Sequence, residues 1–120
     1  MMERFRFDAG SAFTPDQELL ERVTIAPLTP PGGVQAAVFR VSGGGRIVRH
    51  PATVPQILAV LEGEGRVSGA DGDLEPIIAG EAVFWPAGEE HETTSDAGLT
   101  ALVLEGDGLS PPRARLTEER

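Results

Sequence analysis

From Val34 onward the chain is a succession of short apolar runs, each closed by glycine, proline or charge. VQAAVFRV (34–41), RIVRH (46–50), QILAVLEG (56–63), AVFW (82–85), HETT (91–94) and LTALVLEG (99–106) have the length and residue types of strands. SGGG (42–45) predicts a loop between the first two, and Asp71-Gly72 within VSGADGDLEPII predicts a tight hairpin. Upstream, Arg4 and Arg6 alternate with Phe5 and Phe7, which predicts a short first strand. Thr14-Pro15-Asp16-Gln17 has the N-cap, first-turn proline and third-position glutamine of a capping box, and predicts one or two helical turns through Glu21. ERVTIAPL (21–28) is extended, and Pro27, Pro30, Pro31, Gly32 and Gly33 break it. No repeat of fixed period is present. The pattern divides into an N-terminal segment 1–33, a run of strands 34–109, and a polar, proline-marked tail 110–120 expected to fray.

Composition narrows this. A length of 120 residues suits one domain, and a hydrophobic share of 40% is ample for a core. With 15 glycines and 10 prolines, short strands and turns are favoured over long helices, so the fold class is all-β, a sandwich or barrel. Periodicity alone leaves an immunoglobulin-like sandwich, an OB-fold and a jelly roll open. The net charge of −9 argues against nucleic acid and anionic membrane surfaces as partners. No cysteine is present, so disulfides and thiolate metal sites are excluded. No apolar run reaches membrane-helix length, and MMERFRFDAG lacks an apolar signal region, so a cytoplasmic location is the expectation.

Candidate chemistry concentrates at GEAVFWPAGEEH (80–91), which ends on one of the two histidines. Val83, Phe84 and Trp85 read as a strand. Pro86 suits the second position of a tight turn and Gly88 its exit, so His91 opens the next strand with a fixed direction. The spacing Gly80, Pro86, Gly88, His91 is similar to the second signature of the cupin family, in which an asparagine usually follows the histidine; here that position is Ser95. The first signature is degraded. Aligning on Gly63 places His50 at its first histidine, Ala52 at its second and Gln56 at its glutamate. The resemblance covers about residues 34–105. It implies a double-stranded β-helix, the jelly-roll barrel of small bacterial cupins, with a divalent ion (Zn, Mn, Fe or Ni) held inside by three histidines and a glutamate.

The departures change that chemistry. His50, Gln56 and His91 are the metal ligands the resemblance leaves, and losing the carboxylate removes the attraction that best offsets dehydrating a dication. Glu89 or Glu90, beside His91, are the candidates to replace it; Trp85 and Ala52 complete the expected pocket. His91 is also a candidate general acid or base, and the flanking Glu89, Glu90 and Glu92 are expected to favour its imidazolium form. Two functions stay open: a metal-dependent enzyme acting on a small polar substrate, and a metal-free barrel that binds or senses a small molecule. In QILAVL, Gln56, Leu58 and Val60 share one face while Ile57, Ala59 and Leu61 share the other. Both faces are suited to burial, so the second needs cover from residues 1–33 or from a second subunit. The resemblance favours a homodimer.

Overall fold

The computed structural model describes residues 1–112. Seven strands form: β1 (Leu20–Pro27), β2 (Gln35–Pro51), β3 (Gln56–Ser68), β4 (Glu75–Ile78), β5 (Ala82–Trp85), β6 (Glu90–Ser95) and β7 (Leu99–Glu105). All pairings are antiparallel. Two strands are much longer than the rest, and each serves two sheets. Residues 35–41 of β2 pair with β7, and residues 45–51 with β6. Residues 56–63 of β3 pair with β5 and β7, and residues 64–68 with β4 and β6. One sheet therefore runs β1-β2-β7-β3-β5 and the other β1-β2-β6-β3-β4, and together they close a jelly-roll barrel.

Both long strands turn a corner at glycine. The SGGG segment does not interrupt β2, contrary to the loop expected from its composition. The strand passes through it, with Gly44 at φ 83°. Glycine supplies freedom that serves a bend in a strand as readily as a loop. In β3 the corner falls at Gly63, φ 81°, beside a register shift between Val60 and Glu62. A Cβ on Gly63 would run into the Gly98 carbonyl and Leu99 Cα, so the backbone itself fills that space. The family's first-signature glycine is thus a corner of the barrel. β1 follows the same bend at Arg22, φ 58°, with a register shift between Glu21 and Val23.

The core lies between the two sheets. Val41, Leu58, Val60, Leu99, Ala101 and Val103 come from one sheet, and Ile47, Val67 and Ile77 from the other. The alternation of β7 decides which side chains enter: Leu99, Ala101 and Val103 are buried, while Thr100, Leu102 and Leu104 lie outside and are half-buried. The 69–72 turn, closed by Gly72 N–H donating to the Gly69 carbonyl at 3.0 Å, joins β3 to β4 as the Asp71-Gly72 pair predicts.

Two N-terminal expectations fail. Arg4–Phe7 forms no strand, because no neighbouring strand offers it a ladder; Phe5 and Phe7 are exposed. Thr14–Gln17 starts no helix. The run Val23-Thr24-Ile25 that follows is drawn into β1 against β2, and Phe13 bridges to Ile25. The short helical turn present is a 3-10 turn at Ala9–Ser11, where the Asp8 side chain accepts from the Ser11 N–H. Of the expected tail, residues 113–120 lie outside the described residues.

The two corner glycines are expected to differ in tolerance. Gly44→Ala meets no atom within 4 Å and bears only the cost of its φ, about 1 kcal/mol. Gly63→Ala must also displace backbone, and should lose about 2 kcal/mol or more in denaturant unfolding. Equal losses would contradict this account of the corner.

Candidate functional site

His50 and His91 sit directly opposite one another in the β2–β6 ladder. A clamp fixes that register. The Pro86–Glu89 turn closes with Glu89 N–H donating to the Pro86 carbonyl at 3.2 Å, and Gly88 takes φ 88°. Ala52, two residues beyond His50, donates its N–H to the Glu89 carbonyl at 2.9 Å and accepts from the Gly88 N–H at 2.6 Å. The turn before one histidine is thus bonded to the chain just after the other. The ring centroids lie 4.5 Å apart, tilted by 50°, and Trp85 continues the stack 4.4 Å from His91. Trp85 is itself anchored, its Nε1 donating to the Ser68 carbonyl at 3.1 Å.

Each imidazole is braced through Nδ1. His50 Nδ1 lies 2.7 Å from the Val48 carbonyl and His91 Nδ1 3.1 Å from the Glu89 carbonyl. A carbonyl only accepts, so Nδ1 carries a proton in both rings, and in the neutral form of each the lone pair lies on Nε2. His91 is 2% exposed. Burial holds its pKa below the ordinary histidine range; the Glu89 carbonyl bond opposes this, the facing His50 adds to it, and the carboxylates of Glu89 and Glu90 oppose it again. Glu89 and Glu90 thus act in the expected sense, towards imidazolium, but desolvation of the ring outweighs them.

The two rings border a cavity of about 310 Å³ inside the barrel. Gln56, Trp85, Thr93 and Glu105 share its wall with the apolar Phe39, Leu58 and Val103, and Phe13, Gln17 and Leu19 cover it from the N-terminal segment. The Thr93 hydroxyl, on a residue 1% exposed, has no hydrogen-bond partner among the described residues. Among the expected site residues, His50, Gln56, His91 and Trp85 come together here. Ala52 does not line the cavity; it is buried and held in the clamp. Neither Glu89 nor Glu90 lines it: Glu89 Oε2 accepts from the Ala70 N–H at 2.9 Å, and Glu90 Oε1 lies 4.0 Å from Arg49 Nε. Ser95, where the family has asparagine, latches the β6–β7 turn by donating to the Glu64 carbonyl and accepting from the Gly98 N–H.

The carboxylate that does reach the cavity is Glu105, which sequence reasoning passed over. It lies opposite Gln56 in the β3–β7 ladder and accepts from Gln56 Nε2 at 2.5 Å. The signal was available: Leu99, Ala101, Val103 and Glu105 keep strict alternation, so the buried face of β7 ends on this side chain. Thr93 follows His91 on one face in the same way.

Antiparallel strands closed into a jelly roll around a histidine-bearing cavity define the class as a small β-barrel domain. The cupin domain family model matches residues 37–106, and the chain belongs to that family. Solved structures agree in fold. The chain is similar to the polyketide cyclase RemF from Streptomyces resistomycificus, with 24% identity over 92% of this chain and 83% of that one and a TM-score of 0.78. A Cupin 2 conserved barrel domain protein from Salinispora arenicola shares 19% identity over 90% and 91% of the two chains, TM-score 0.72. A predicted oxalate decarboxylase from Thermotoga maritima shares 24% over 68% and 77%, TM-score 0.63. No curated protein matches in sequence. Among the described residues, no helix is long and apolar enough to cross a membrane.

The depressed pKa has a consequence for stability. Above about pH 6.5 His91 is neutral whether folded or unfolded and costs nothing. On acidification the unfolded chain takes up the proton first, so stability falls as pH drops from the unfolded value towards the folded one. Between about pH 7.5 and pH 5 the melting temperature should therefore fall more steeply in the wild type than in His91→Gln. Parallel melting curves would show that the buried ring carries no such penalty.

Proposed function

We propose that the barrel binds a small organic molecule and that His50 and His91 meet its polar end through their Nε2 atoms. The carrying observation is a pair of imidazoles, each bonded to backbone through Nδ1, that border a cavity of about 310 Å³ together with the Thr93 hydroxyl, which is unpartnered among the described residues. A cavity of this size with apolar walls and a few converging polar atoms is the usual form of a small-molecule site. A neutral imidazole there can take a proton from a bound O–H, which gives the site the means for general-base chemistry. The cupin barrel hosts many chemistries, so membership supports a ligand site without choosing the reaction.

The family's divalent ion fits this donor set poorly. Among the described residues no three His, Cys, Asp or Glu side chains group as a metal site. Imidazole ligands and the Gln56 amide oxygen bring no negative charge, and the cavity's carboxylate, Glu105, is engaged with Gln56. One observation favours a second reading, a divalent ion at His50, Gln56 and His91: Nδ1 is the nitrogen bonded to backbone in both rings, which leaves Nε2 as the one able to ligate. Metal content separates the two. Purified protein is expected to carry far less than one equivalent of Zn, Mn, Fe or Ni, with a melting temperature unmoved by chelator. Near-stoichiometric metal that disappears in His91→Ala would replace the first reading with the second. In a screen of one- and two-ring compounds read by Trp85 fluorescence, a response lost in His91→Gln supports the ligand site.

For assembly, we infer a homodimer through the outer face of the β5-β3-β7 sheet. Phe84, Ile57 and Leu104 form a cross-strand row there, all half-buried, beside Leu61 at 52% exposure. On a chain of charge −9, two copies meet with least repulsion across a face of this kind. Light scattering should return twice the chain mass, and Ile57→Glu should return the chain mass alone.

A further inference from the structure

Hydrogen-bond donors and acceptors are unevenly divided around the cavity. Several donors on its inner wall are already spent: both Nδ1–H groups on backbone carbonyls, Trp85 Nε1–H on the Ser68 carbonyl, and one of the two Gln56 Nε2–H groups on Glu105. What remains for a ligand is chiefly acceptors. They are the Nε2 atoms of His50 and His91, the Gln56 amide oxygen and the second oxygen of the Glu105 carboxylate. The Thr93 and Thr29 hydroxyls can act either way, and the second Gln56 N–H and the amides of Gln17 and Gln35 supply the other neutral donors.

Charge points the same way. Among the described residues the cavity wall includes no arginine, and the sequence contains no lysine. Glu105 is its one acidic side chain. A carboxylate or phosphate entering this space would give up its hydration without meeting a cation, and would face a carboxylate and three outward acceptor atoms. A hydroxylated, uncharged molecule would instead match each open acceptor with an O–H. The walls add shape: Phe39, Leu58 and Val103 are apolar, and the Trp85–His91–His50 stack lines one side.

Building on the ligand-site reading above, we infer that the ligand is a ring bearing at least two hydroxyl groups and no negative charge, and that the cavity rejects anions. The hydroxyls donate to the His50–His91 pair and to Glu105, and the ring lies against the apolar wall. Thr93 supplies the remaining polar contact, which accounts for a buried hydroxyl left without a partner among the described residues. Glu105 is then a specificity residue: it accepts from the ligand and turns carboxylates away.

Calorimetric titration with three single-ring probes tests this, with Trp85 fluorescence as the second readout. Resorcinol is expected to bind at least about tenfold more tightly than benzoate or benzylamine. In Glu105→Gln, which keeps the shape and removes the charge, benzoate should gain and the gap should narrow by about threefold or more. Thr93→Val gives an independent check. Removing an unpaired buried hydroxyl should leave the melting temperature equal or higher while weakening resorcinol by about threefold or more. Benzoate binding as tightly as resorcinol, or benzylamine binding more tightly, would overturn the inference while leaving the ligand site standing. No binding by any of the three would overturn both together.

Discussion

Everything in this barrel depends on two strands being long enough, and bent enough, to belong to both sheets. β2 and β3 carry the hydrogen-bond ladders around the corner, so the two sheets are parts of one continuous surface. The bend is possible only where the chain reaches positive φ, and there the backbones press together so closely that Gly63 leaves no room for a Cβ. Closure in turn creates an inside. Without it, His50 and His91 would be neighbours on one face of a sheet open to water, and the desolvation that keeps His91 neutral would vanish.

The site is built by a second, local constraint laid on the first. Ala52 bonds through both its N–H and its carbonyl to the turn that precedes His91, so the ends of β2 and β6 are tied at the level of the two rings. Position is therefore fixed by backbone, and the side chains are left for chemistry. Gln56 and Glu105 extend the polar group across the barrel through the β3–β7 ladder, and Trp85 joins the two parts through its contact with His91. The outcome is a cavity in which polar atoms collect on one part of the wall and apolar side chains occupy the rest.

Much of this was readable from residue order, and the failures have physical causes. QILAVL and LTALVL announced their strands because β-branched and leucine residues at period two leave little else to form. The PAG turn placed His91 because proline and glycine narrow the backbone to one kind of reversal. SGGG misled because a glycine run permits a bend as easily as a loop, and only the partner strands decide between them. Thr14–Gln17 misled because a capping box acts locally, while Val23–Ile25 were claimed by a ladder with β2 that no local pattern reveals. The carboxylate was sought beside His91 in sequence, at Glu89 and Glu90. It arrived from Glu105 instead, forty-nine positions from Gln56 and adjacent only once β3 and β7 pair.

The bracing of the two imidazoles reaches further than their position. Each Nδ1 proton is held by a carbonyl two residues upstream in its own chain segment, Val48 for one and Glu89 for the other. Which nitrogen is bare is thus decided within a tripeptide of extended backbone and owes nothing to the opposite wall. Phe39, Leu58, Val103 or the overlying Phe13 can be exchanged for other shapes without reassigning a proton. The choice of tautomer and the outline of the cavity are therefore separately adjustable, so the same pair of ring nitrogens can be kept while the shape around them changes.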